Sequence, residues 1–241
     1  MQVSAGFANF YNTRPGRIIR QVLAARVGAH IPKNGDLRWA AIGYAQPYLD
    51  LLISRGIASP LGLGLPYWLG GHAWPNKGPG KAFLMDDEEL PFASNSVDTL
   101  LLMHALEFAR SPERLLEECA RVLVGQGRLL LVAPNRRSYW TAAEWTPFGS
   151  GHPFTSNQLQ SLLAAQSLVV EQHSTALFVP AFRWRPLWKT ALAWERMGPL
   201  IAPALGGVHI IEASKQQFSG IAVPVSPYRA PRRVAPATSP S

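Results

Sequence analysis

His104 and Glu107 stand three residues apart, just after the apolar run Asp98 to Met103 (DTLLLM). A histidine and a carboxylate so placed can position a polar ligand or hold a proton for general-base work. The same pair can equally pack and hydrogen-bond locally. The acids Asp86, Asp87, Glu88 and Glu89 follow a second short apolar segment, Lys81 to Met85. His152, in Gly149-Ser150-Gly151-His152-Pro153-Phe154, belongs to a loop of the kind that carries substrate-facing residues, and it also suits a plain turn. Between Phe178 and Trp194, the aromatics Phe178, Phe182, Trp184, Trp188 and Trp194 alternate with Arg183, Arg185 and Lys189. Such a mixture can stack nucleobases, cage a cation or sit at a membrane interface; it can also close a core beside solvated bases. His72, His104, His152 and His173 have no metal-ligand spacing, so no metal is expected.

The elements that must hold these groups are read from a chain of 241 residues, 47 % hydrophobic, enough for one sizeable core. Its 23 Lys and Arg against 15 Asp and Glu give a formal charge of +8, which favours acidic partners such as nucleic acid, anionic lipid or a phosphorylated metabolite. A single cysteine, Cys119, excludes an internal disulfide and a thiolate metal site. The first residues lack a basic region leading into an apolar stretch, and the longest uncharged run, Gly56 to Asn76, is broken by prolines. A cytoplasmic protein without a transmembrane segment is expected.

Short apolar runs alternate with helical patterns. Strands are predicted at Leu37 to Ile42, Lys81 to Met85, Asp98 to Met103, Arg128 to Ala133, Leu168 to Ser174 and Val208 to Lys215, with another apolar stretch at Ala58 to Leu65. A helix of about residues 15–27 carries Arg14, Arg17, Arg20 and Arg26 on or beside a solvated face. Another begins at Ser111-Pro112-Glu113, lines one face with Leu115, Leu116, Cys119, Val122 and Leu123, and can end at Gly125. Thr155 and Gln158 make a capping box for a third. This order predicts an α/β fold with a mostly parallel sheet covered on both faces, its function at the carboxyl ends of the strands. Residues 1–223 form the domain, and the Pro- and Arg-rich tail 224–241 is expected to be disordered.

The stretch Asp86 to Asn135 resembles the middle of a class I S-adenosylmethionine-dependent methyltransferase of the type 11 group, while Phe10-Tyr11 to Gly16, Gly43 to Tyr48, Pro134 to Arg137, Thr146 to Gly149 and Glu212 to Lys215 resemble a little-characterised bacterial branch of it. The residues that carry the likeness are Asp86 four before Leu90-Pro91-Phe92, then Ser96-Val97-Asp98, His104-Ala105-Leu106-Glu107, Arg121-Val122-Leu123 and Gly125-Gln126-Gly127. The resemblance implies a doubly wound, seven-stranded Rossmann-like sheet with the first strand central and Asp98 to Met103 beside it. It implies S-adenosylmethionine as cofactor, held by the loop Gly43, Tyr44 and Ala45, by Leu65 and Met103, by Asp86 or Asp87 at the adenine, and by His104 and Glu107 at the pocket edge. It also makes residues 176–206 a substrate-covering segment.

Two family features are altered. Only Gly43 remains of three loop glycines, with Ala45 and Pro47 in place of the others, and Leu63-Gly64-Leu65-Pro66 stands where the ribose-binding acid is expected. Three functions stay open: a methyltransferase with a small-molecule acceptor, a catalytically silent binding or regulatory module, and an RNA-directed enzyme or binder. Catalytic residues, acceptor and oligomeric state are not specified by these motifs.

Overall fold

The computed structural model describes residues 2–31, 33, 37–70, 74–75, 79–181 and 185–216. Seven strands form one sheet: β1 (Trp39–Gly43), β2 (Leu63–Pro66), β3 (Ala82–Met85), β4 (Val97–Met103), β5 (Leu123–Pro134), β6 (Leu168–Ala176) and β7 (Val208–Lys215), in the order β3-β2-β1-β4-β5-β7-β6. All neighbouring pairs are parallel except the two that β7 makes. β1 is central, and Trp39 to Gly43 run in register with Thr99 to Met103 of β4, as the resemblance implies.

Strands buried on both faces need apolar side chains at every position, and β1 (WAAIG) is buried throughout. Alternate residues therefore feed two cores. Ala41, Leu101 and Leu130 face helices α2 (Arg14–Gly28) and α3 (Gln46–Ser54), which contribute Ile19, Leu23, Val27, Tyr48, Leu49 and Leu52. Leu100, Leu102, Leu129 and Leu131 face α4 (Pro112–Val122) and α5 (Ser156–Ala165) through Leu115, Leu116, Cys119, Leu159 and Leu163. Each such side chain contributes about 1.5–3 kcal/mol of burial, so these four helices are fixed by packing rather than by propensity.

The helix starts read at Ser111 and Thr155 are found, and a further cap, Thr13, is present. Thr13 caps α2 by accepting from Gly16 N at 3.1 Å, Ser111 caps α4, and both halves of the Thr155–Gln158 capping box form on α5. Gly125 does not end α4. The helix stops at Val122, and Leu123, with φ −67° and ψ 137°, is already strand and pairs with Val97. Pairing with β4 begins there, ahead of any glycine cap.

An N-terminal helix, α1 (Gln2–Asn12), precedes the one expected, and α6 (Ala191–Ile201) occupies part of the stretch read as substrate-covering. No helix among the described residues is long and apolar enough to cross a membrane. Residues 224–241, Arg183 and His72 lie outside the described residues.

Candidate active site

The candidate cofactor residues converge on the carboxyl ends of β1, β2 and β4. β1 ends at Gly43, whose φ of +89° suits a residue without a side chain. A Cβ there would collide with the Met103 carbonyl oxygen and lie 2.8 Å from the Ala105 Cβ. β4 ends at Met103, and the next residue, His104, holds a φ of +50°, a conformation that costs a non-glycine residue about 1–3 kcal/mol. The turn folds Glu107, in the short 3-10 turn Leu106–Phe108, back beneath the imidazole.

The two groups form a fully buried chain of hydrogen bonds with two residues the sequence reading missed. His104 Nδ1 lies 3.0 Å from Glu107 Oε1, and His104 Nε2 lies 2.7 Å from the Tyr11 hydroxyl. Tyr11 in turn meets the Tyr48 hydroxyl. A consistent assignment has Tyr48 donating to Tyr11, Tyr11 to His104 Nε2, and His104 Nδ1–H to the carboxylate. Burial pushes the Tyr11 and Tyr48 phenols well above their usual range, and that of Tyr44 up to about 12, so all three are proton donors at ordinary pH.

Above this chain lies a layer of aromatic rings. Phe7 of α1 sits edge-on to Tyr44, Trp68, His104 and Phe108, with centroids 5.1–6.2 Å apart. Phe148 is tilted against His104 with ring centroids 5.1 Å apart. Phe7, Phe10 and Tyr11 recur at i, i+3 and i+4, an amphipathic spacing that is the sequence signal of α1.

The individual expectations fare differently. Tyr44, Ala45, Leu65, Met103, His104 and Glu107 are gathered and buried. Asp86 and Asp87 lie at the end of β3. Asp86 Oδ1 accepts from Glu88 N at 3.2 Å, while Asp87 is buried, its carboxyl raised by that burial against a backbone N–H from Arg110. His152 approaches through its backbone: its N–H donates to the Glu107 carbonyl at 2.8 Å and its side chain is exposed. Of the aromatic-basic segment, Trp188 is core and Lys189 exposed.

Whether these residues suit a sulfonium cofactor can be tested on unsatisfied groups. Glu107 Oε2 and Trp68 Nε1 are buried without a hydrogen-bond partner, an acceptor and a donor bordering one aromatic cluster. Orphaned buried polar atoms cost about 1–3 kcal/mol each and point to a polar ligand. The donor set therefore fits, while Phe7, Trp68 and Tyr11 fill the space in this arrangement.

A second opening lies further along the same sheet edge. A cleft of about 670 Å³ at the ends of β5 and β6 is lined by Arg26, Arg137, Asn135, the start of α5, and His173 and His209. The two imidazoles are 2.9 Å apart. Burial, together with His173, depresses His209 to about 4, and burial lowers His173.

Residues 73–131 match the family model described as a methyltransferase domain. The uncharacterized protein YafS of Escherichia coli (strain K12) is 29 % identical over 136 residues, which are 54 % of this chain and 53 % of YafS. The match thus spans about half the length of that relative. Among solved structures, the methyltransferase in complex with the Trm112 activator of Haloferax volcanii superposes with a TM-score of 0.59 at 17 % identity, covering 80 % of this chain and 89 % of that one. An S-adenosylmethionine-dependent methyltransferase of Thermotoga maritima gives 0.57 at 18 % identity, covering 83 % and 90 %. At these identities the structural likeness is one of fold.

Proposed function

We propose that the chain, which shares the fold of class I S-adenosylmethionine-dependent methyltransferases and matches a methyltransferase-domain model over residues 73–131, binds S-adenosylmethionine at the carboxyl ends of β1 and β4 and methylates a small-molecule acceptor. The observation that carries this reading is the buried, unpartnered Glu107 Oε2 at that place. The cofactor supplies an already activated methyl group, so the protein has only to bind, align and exclude water.

Each task falls to particular residues. Backbone from Gly43 to Ala45 borders the amino-acid end of the cofactor. Asp86 or Asp87 accepts from the adenine, Leu65 and Met103 supply apolar walls, and Glu107 offers its free oxygen to a donor. The aromatic face of α1 excludes water. His104 has both nitrogens engaged, so its first role is to orient Glu107 and Tyr11; it accepts a proton only once Tyr11 has moved away.

The aromatic filling supports a second reading, a silent module that keeps the fold without the cofactor. Calorimetric titration with S-adenosylhomocysteine separates the two. The parent is expected to bind, and Asp86→Ala or Asp87→Ala, whichever removes the adenine acceptor, to weaken binding by about one to two powers of ten. Phe7→Ala, which opens the aromatic layer, is expected to bind more tightly than the parent. If neither parent nor Phe7→Ala binds at millimolar ligand, the silent module is the correct reading.

A further inference from the structure

α6 is held firmly on one side and left bare on the other. On its inner side, the buried Glu195 accepts from the backbone N–H groups of Leu177 at 3.2 Å and Phe178 at 2.7 Å. Leu177 adopts a φ of +63° in the turn that presents them. One turn on, Gly198 lies so close to the Phe178 ring that any side chain there would collide with it. The helix is therefore seated by specific contacts.

Its outer side is apolar where a surface helix is normally polar. Leu192, Met197, Leu200 and Ile201 are 67, 52, 80 and 72 % exposed, and Trp194 is 40 % exposed. The single outward charge on α6 is Arg196, and the helix has no exposed acid. A contiguous patch of this kind marks an interaction surface. Around it the chemistry is cationic. Pro199, Pro203 and Ala204 form one wall of the cleft that contains Arg26 and Arg137, and no Asp or Glu lines that cleft among the described residues. On the opposite side, Gly198, Ile201 and Leu205 line an apolar groove of about 390 Å³. A cationic cleft thus stands about one helix diameter, roughly 10 Å, from an apolar face.

We propose that this corner of the molecule docks on an anionic phospholipid bilayer. α6 lies in the plane of the interface with Leu200 and Ile201 in the acyl boundary, and Arg26 and Arg137 receive the lipid phosphates. The occupant follows from two observations together. An apolar face alone would suit any hydrophobic partner, and two arginines alone any anion; a bilayer with acidic headgroups presents both in this order at this spacing. The net charge of +8 favours the same surface from a distance. Eleven residues of helix span only about 16 Å, too little to cross the hydrocarbon core, so the helix rests on the membrane.

The test is flotation of the full chain with vesicles of phosphatidylcholine alone and of phosphatidylcholine with about one third phosphatidylglycerol. The protein is expected to float with the anionic vesicles and to be released from them by salt. Replacing Leu200 and Ile201 together by Glu should weaken binding at least about tenfold, and Arg26→Glu with Arg137→Glu should abolish the preference for phosphatidylglycerol. All four positions are exposed, and unchanged circular dichroism of the variants verifies the fold. Inorganic phosphate at millimolar concentration should not displace the protein. Absence of flotation with either vesicle overturns the proposal, as does displacement by phosphate alone. A parent dimer in sedimentation velocity that becomes monomeric in the Leu200/Ile201 variant, without vesicle binding, would identify a second copy as the occupant instead. None of these readouts depends on methyl transfer.

Discussion

One sheet edge is finished in two opposite ways. At the ends of β1 and β4 the polar groups Tyr11, Tyr48, His104 and Glu107 are joined to one another and roofed by rings, with hardly any surface left open. At the ends of β5 and β6 the cleft stays open, and α6 turns its apolar side outward. Under the proposed function, the first arrangement ties cofactor entry to displacement of α1, which supplies Phe7 and Tyr11. The second can meet a partner without any rearrangement. The contrast is between apolar side chains that close a core at one end and apolar side chains left facing solvent at the other.

The sharpest way to break this contrast is to truncate one apolar side chain at each end. Phe7→Ala should cost about 3–5 kcal/mol in urea denaturation, because the ring is buried among four others. Leu200→Ala should stay within about 0.5 kcal/mol, because its side chain is 80 % exposed. Equal costs would mean that α6 is packed in solution against something the fold does not supply.

A smaller effect is expected from the anchor of α6. Glu195→Ala leaves the N–H groups of Leu177 and Phe178 without their acceptor and should cost about 2–4 kcal/mol, whereas Glu195→Gln, which keeps one acceptor oxygen, should recover about half of it. If the alanine variant loses less than about 1 kcal/mol, the seating of α6 is weaker than its geometry implies.

The smallest effect is a pH dependence. His209 is held at about 4, below the ordinary histidine value of 6.5, so the unfolded chain binds the extra proton first. Stability present above pH 6.5 should therefore decline as the pH falls from 6.5 towards 4, by on the order of 2–3 kcal/mol. Chemical denaturation across that range checks it, and His209→Gln should flatten the profile. A parent profile already flat there would mean that His209 gains its proton in the folded state as readily as in the unfolded one.

Much of the sheet was legible because its strands are buried on both faces and read as unbroken apolar runs, as in Asp98 to Met103. The capping residues Ser111 and Thr155 were legible because their hydrogen bonds are local. The site was legible only in its strand-end residues. Tyr11 lies 93 positions from His104 and Tyr48 lies 37 from Tyr11, and no local pattern encodes contacts at such separations. The stop of α4 was misplaced for a related reason, since strand pairing at Val97 overrode the glycine signal at Gly125. The His173–His209 pair was invisible because it forms across two antiparallel strands whose register only the folded sheet defines.

The reversed direction of β7 also decides where handles can be attached to this molecule. Ser214 stands opposite Arg128 and Val208 opposite Pro134, so the strand carries the chain from the site end of the sheet to the other, roughly 20–24 Å away. Residue 216 departs there, while α1 enters at the site itself with Phe7 five residues after its start. A fluorophore or affinity tag joined beyond β7 leaves from the face remote from the aromatic layer. The same tag joined ahead of Gln2 begins within two helical turns of the rings that close it.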